Sequence, residues 1–178
     1  MEFMTDDENE QELDVLVAKY GPAQRTEFYA KWGIDTKTLG EMLRAHLVLE
    51  HFIMEYLQFI NPHLGALEDA RLTFAQKVAL IKPWHSDIQE LIDGFKHLNR
   101  LRNKFAHNLG YVITEQDVKI FSEHFLVSKR LKDREKPASP IEVISLYSRI
   151  ACAMLQGIVA GMEEYSTMRR RRSEPSTP

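Results

Sequence analysis

The chain has 178 residues, 44% hydrophobic and 28% charged, enough apolar material for one domain with a sizeable core. Its single cysteine, Cys152, excludes an internal disulfide and a cysteine-based metal cluster. The formal net charge of −3 is unevenly spread: residues 1–14 hold seven acids and no base, Arg169 to Arg172 form a basic run, and the stretch between is near neutral. Bulk charge therefore neither requires nor excludes a nucleic-acid partner.

The N-terminal "MEFMTDDENEQELD" lacks the basic and apolar regions of a signal peptide. Residues 1–14 and the basic tail 169–178 read as disordered, flanking a helical domain over 15–168. No charge-free apolar run reaches membrane-spanning length, so the expected location is cytoplasmic, with no membrane partner. Two short helices are expected first, "QELDVLVAKY" ended by Gly21-Pro22 and "QRTEFYAKW" ended by Gly33. Thr38 precedes Glu41 by three, the spacing of a capping box. A long helix should follow to about Ile60, with Leu39, Met42, Leu43, Leu49, Ile53, Leu57 and Ile60 on its apolar face. Thr73 with Gln76 opens "TFAQKVALIK", and Pro83 breaks the chain. Ser86 with Gln89 opens a helix to about His107. Thr114 with Asp117 opens another, and the basic run 128–138 reads as a loop. Ser139-Pro140-Ile141-Glu142 combines an N-cap, a proline at the first helical position and an acid three on. That last helix is expected to end near Tyr165. With no hairpin or repeat signal, the chain reads as all-α: an up-and-down bundle of four main helices with short accessory helices at the N-terminus.

The segment 86–107 carries the chemistry. Ile88, Leu91, Phe95 and Leu98 form a seam, and a further step of four lands on Arg102. A buried guanidinium needs partners, so it must snorkel, pair with a carboxylate, or face a cleft. From Gly94 to Thr114 there is no acid, only Lys96, His97, Arg100, Arg102, Lys104 and His107. Arg102 and His107 are five apart, about 140° around a regular helix, so one helix does not aim both at one atom. They converge if the helix ends near Ala106, or if a two-fold dimer supplies one of them.

Arg102-Asn103-Lys104-Phe105-Ala106-His107 resembles the R-polar-x-x-x-H motif of HEPN domains. The surrounding "RLTFAQKVALIKPWHSDIQELIDGFKHLNRLRNKFAH" resembles the branch that includes mannitol-operon-repressor-like (MtlR-like) proteins. The similarity covers about 40–115, and the last helix by position. It implies a HEPN-like bundle and, in many members, metal-independent RNA cleavage at a homodimer cleft, as in toxin–antitoxin and phage-defence systems. His107 is then the acid/base, Arg102 the phosphate clamp and Asn103 a positioning group. Arg100, Lys104 and Lys96 would be further phosphate contacts. RNA is the implied partner, with an antitoxin or regulatory protein beside it, and no cofactor. The alternative is a non-catalytic regulator acting by protein–protein contact. The structural alternative for the motif is a helix C-terminal cation with His107 on the last carbonyls.

Glu50, four residues after His46, is a candidate partner for Arg102; the simpler reading is a hydrogen bond between His46 and Glu50 within their helix. The seven histidines show no zinc spacing. Cys152 reads as a core residue, and Trp32 and Trp84 as packing anchors beside loops. Gly157 and Gly161 predict close approach of another backbone, from this bundle or a second copy.

Overall fold

The computed structural model of the chain describes residues 35–63, 65, 67–81, 86–108, 110–136 and 138–173, with isolated positions nearer the N-terminus. The acidic 1–14 segment and the two expected N-terminal helices lie outside the described residues apart from those positions, as do Trp32 and Trp84. Among the described residues the protein is all-α, without strands. In order come α1 (Thr36–Ile60), a 3₁₀ turn (Leu67–Ala70), α2 (Phe74–Leu80), α3 (Ser86–His107), α4 (Glu115–Ser122), α5 (Phe125–Lys132) and α6 (Pro140–Ser173). Three of these are long, where four main helices were expected.

Local chemistry sets most of the boundaries. Both halves of the Thr73–Gln76 and Thr114–Asp117 capping boxes are formed. Glu142 reaches back to the Ser139 N–H and hydroxyl, both at 2.8 Å, and takes Arg134 at 2.9 Å. These bonds hold its carboxyl down at about 2, led by the Ser139 backbone bond. The start of α1 differs from the sequence reading. Asp35, not Thr38, is its N-cap, accepting from the Lys37 and Thr38 N–H groups. Asp35 sits one turn upstream with a carboxylate aimed at the free N–H groups, which places Thr38 inside the helix.

Of the basic stretch 128–138, expected to be a loop, the residues up to Lys132 belong to the helix α5, while 133–136 and 138 are outside any helix. Val127 is buried and Leu131, four residues on, packs against the core. The apolar pair decides, and Lys129, Arg130 and Lys132 suit the last turn of a helix. Similarly, α6 runs past Tyr165 to Ser173. No breaker intervenes before Pro175, and Arg is a good helix former. The Ser166 and Thr167 hydroxyls donate to the Met162 and Glu163 carbonyls at 2.8 and 2.9 Å.

The core lies where α1, α3 and α6 meet. Met42, Leu49, Ile53 and Leu57 from α1 join Leu91, Phe95 and Leu98 from α3 and Ile144, Tyr147 and Leu155 from α6. Leu43, expected on this face, is 37% exposed, while Ala45 and Tyr56 are buried. Cys152 is a buried core thiol, pushed up to about 11 by burial. α1 and α6 run side by side in one direction, Glu41 to Phe52 facing Ser145 to Gln156 across a groove. α3 runs opposite, with Ile88 near Tyr56 and Asn99 meeting His46. The stretch Pro140–Arg169 has the length and apolarity of a membrane-crossing helix, with mean hydropathy 1.6 and 39% of that window buried in the bundle. Its first half is apolar because it is core.

Candidate functional site

The motif occupies the last turn and a half of α3. The helical ladder continues past it, with the Asn108 N–H donating to the Lys104 carbonyl at 2.9 Å. Phe105 anchors this turn, being 8% exposed and packed edge-on against Tyr111 at 5.3 Å. The apolar seam reaches Phe105 through Leu101, which is fully buried, and not through position 102. Leu98 to Leu101 is a step of three where the sequence reading took four. Arg102 thus stands beside the seam, half-buried, and the expected problem of a core guanidinium does not arise.

The basic residues divide into committed and uncommitted groups. Lys96 lies 3.8 Å from Asp93. Arg100 Nη2 meets His97 Nδ1 at 3.0 Å, while His97 Nε2 lies 2.6 Å from the Asp117 carbonyl. A bond to that carbonyl requires a proton on Nε2, leaving Nδ1 as acceptor for Arg100. Lys104 donates to Asp117 Oδ1 and the Tyr111 hydroxyl, each at 3.2 Å, over the Tyr111 ring. The three supporting phosphate contacts expected from the sequence are therefore each engaged within the chain. The acid missing between Gly94 and Thr114 is Asp117, three residues beyond.

Asp117 holds this end of the fold together. It caps α4 through Thr114, ties Lys104 and anchors His97 through its carbonyl. Burial pushes its carboxyl up, but Tyr111, Thr114 and Lys104 outweigh that and hold it well below the usual carboxylate range. We expect Asp117→Ala to lose about 1–2 kcal/mol, the cost of a helix cap and part of an ion pair. Because the folded carboxyl is depressed, the wild-type advantage is full above the ordinary carboxylate range. It shrinks as pH falls below about 4. Thermal melts of both proteins from pH 7 to pH 3 would check this; a pH-independent difference would remove Asp117 as its source.

Arg102 makes a different pattern. Among the described residues it has no ion pair, only a 3.3 Å bond from Nη1 to Asn103 Oδ1. Glu50, its candidate partner, is taken by Lys77 at 2.7 Å, with His46 at 3.8 Å. The Arg102–Glu50 pairing is thus corrected. Lys77, on α2, is 27 positions from Glu50 and reaches it only through the fold. His46 is 6% exposed, stacks on Phe74 at 4.3 Å and meets Asn99 Oδ1 at 3.3 Å. Burial pushes its imidazole down, with the Arg102 and Lys77 charges adding to that against Asn99 and Glu50. The cluster His46–Asn99–Glu50–Lys77 borders the motif, and sequence spacing exposed only its His46–Glu50 part. Asn103 and His107 are exposed, and His107 has no side-chain partner among the described residues.

No protein-family model, curated protein or solved structure matches this chain. The site therefore rests on its own geometry. Because α3 stays regular through His107, Arg102 and His107 of one chain diverge around the helix. Of the two routes to convergence, the early helix end is removed. Among the described residues no group of three or more His, Cys, Asp or Glu could hold a metal ion.

Proposed function

We propose that the chain is a HEPN-like endoribonuclease of toxin–antitoxin or phage-defence type, cleaving RNA without a metal at a cleft between two copies. The carrying observation is the separation of roles at the end of α3. Lys96, Arg100 and Lys104 are engaged internally, while half-buried Arg102 and exposed Asn103 and His107 have no carboxylate attached among the described residues. A free guanidinium offers two parallel donors to phosphoryl oxygens. An exposed imidazole can move protons near neutral pH. Attack of the RNA 2′-oxygen on phosphorus breaks the bond to the 5′-oxygen, leaving a 2′,3′-cyclic phosphate and a 5′-hydroxyl. His107 takes the 2′-hydroxyl proton and delivers it to the leaving 5′-oxygen; Arg102 balances charge on the phosphoryl group, and Asn103 orients Arg102 through the bond already present. Arg102 of one copy and His107 of the other would form each site.

The test is incubation of mixed RNA with wild-type protein and His107→Ala in EDTA. Cleavage by the wild type alone, with cyclic phosphate ends, is the expected result. Equal inertness of both would instead favour the regulator that acts through protein contacts.

A further inference from the structure

The groove between α1 and α6 is more than a seam between two helices. Arg44, Val48 and Phe52 line it from α1, Arg149 and Ala153 from α6, and Ser148 and Cys152 lie buried at its base. Its volume is about 530 Å³, within the range of about 300–1000 Å³ typical of small-molecule sites. It ends at Gln156, just before Gly157 and Gly161. Those glycines, expected to touch another backbone, do not do so among the described residues: a Cβ at either would have nothing within 4 Å.

The polar groups of the groove are uncommitted. Arg44 and Arg149 are both exposed, and neither forms an ion pair or a side-chain hydrogen bond among the described residues. The lining runs from Glu41 to Phe52 on α1 and from Ser145 to Gln156 on α6, the same number of positions on each, so Arg44 stands level with Ser148 and Arg149. Between these arginines Ser148 is 4% exposed, and its hydroxyl has no partner. A buried hydroxyl without a bond costs free energy, which a ligand oxygen at this level would recover. The rest of the lining is mostly apolar, and burial keeps the Cys152 thiol neutral.

Charge and length narrow the ligand. Glu41 is the one acid on the lining, so two guanidiniums against one carboxylate leave a single positive charge. That suits a monoanion better than a phosphate monoester, which carries nearly two charges. Guanidiniums on facing walls match the two oxygens of a carboxylate. From Arg44 to Phe52 the groove follows about 12 Å of helix. An extended chain of about ten carbons has that length.

We propose that this groove binds a medium-chain fatty acid. Arg44 and Arg149 clamp its carboxylate from the two walls, Ser148 donates to it from the base, and the tail lies along Val48, Phe52 and Ala153. The site is separate from the motif: His46, which meets Asn99 of α3, points about 160° away from Arg44 around α1. It therefore stands or falls independently of the ribonuclease reading.

Isothermal titration of the full-length chain with sodium decanoate tests it. One equivalent should bind, with a dissociation constant below about 1 mM. Decyltrimethylammonium, the same tail with the opposite charge, should bind at least about tenfold more weakly. Arg44→Gln with Arg149→Gln should weaken decanoate binding by about 10- to 100-fold, the loss of two charged hydrogen bonds. Ala153→Phe, which fills the groove from an exposed position, should abolish it. All three substituted side chains lie outside the core, so the circular dichroism and melting temperature should match the wild type. Absence of binding, equal affinity for the ammonium analogue, or an affinity unchanged in either variant would each overturn the proposal. So would displacement of decanoate by equimolar inorganic phosphate, which would assign the arginines to a phosphate ligand.

Discussion

Arg102→Ala is expected to lower RNA cleavage by about 100- to 1000-fold, the range for removing one preorganised charge stabiliser. The fold should be unaffected, because among the described residues Arg102 carries no ion pair and its hydrogen bond goes to its exposed neighbour Asn103. Arg102→Lys should recover only part of the loss, since an ammonium keeps the charge without the planar pair of donors. The sharper form of the experiment mixes two dead proteins. If each site takes Arg102 from one copy and His107 from the other, a dimer of Arg102→Ala with His107→Ala holds one intact site. Random exchange of equal amounts then returns about a quarter of wild-type activity. Recovery of none, from two folded proteins that exchange, would mean the groups do not meet between copies. Cleavage undiminished in Arg102→Ala would remove the proposed clamp.

Gly94→Ala is expected to be the most damaging single methyl group in the described bundle. A Cβ at Gly94 would land on the hydroxyl and ring of Tyr147. Tyr147 has nowhere to go. It is 1% exposed, its hydroxyl donates to the Leu91 carbonyl at 3.0 Å, and its ring contacts Phe121 at 4.7 Å. Overpacking costs about 1–3 kcal/mol, and freeing a buried hydroxyl adds about 1–3 kcal/mol. Helix propensity returns about 1 kcal/mol. The net loss is about 3 kcal/mol, or about 6–12 °C in melting temperature for a domain of this size. Tyr147→Leu in the same chain should make the glycine substitution far less costly, a coupling that a double-mutant cycle reads directly. A Gly94→Ala protein that melts at or above the wild type would show that the contact is not rigid.

Local chemistry was legible in the sequence, and long-range chemistry was not. The boxes at Thr73 and Thr114, the Ser139 start and the span of α3 follow from residues three or four apart. Arg102 was misplaced by one step of the seam, since both 101 and 102 continue a helical pattern and only packing chooses Leu101. The helical start of the basic stretch, 128–132, was hidden because its charge density outweighed the Val127–Leu131 pair. At the candidate site, Arg102, Asn103 and His107 were nominated by the motif. What silences Lys104, Asp117, comes from the next helix, and what occupies Glu50, Lys77, comes from α2. Neither partnership has a spacing signature.

The side-by-side packing of α1 and α6 also governs how the chain can be made. These helices bury one another's apolar faces but stand at opposite ends of the described chain. On a ribosome, Met42, Leu49, Ile53 and Leu57 emerge early and have only α2 and α3 to cover them until Leu155 arrives. At about 5–20 residues per second, that interval lasts on the order of 5–20 seconds. A loop of this length adds little to the equilibrium cost of closure, but it slows the encounter. Over that interval the nascent chain presents a half-covered apolar helix to chaperones, proteases and its own siblings.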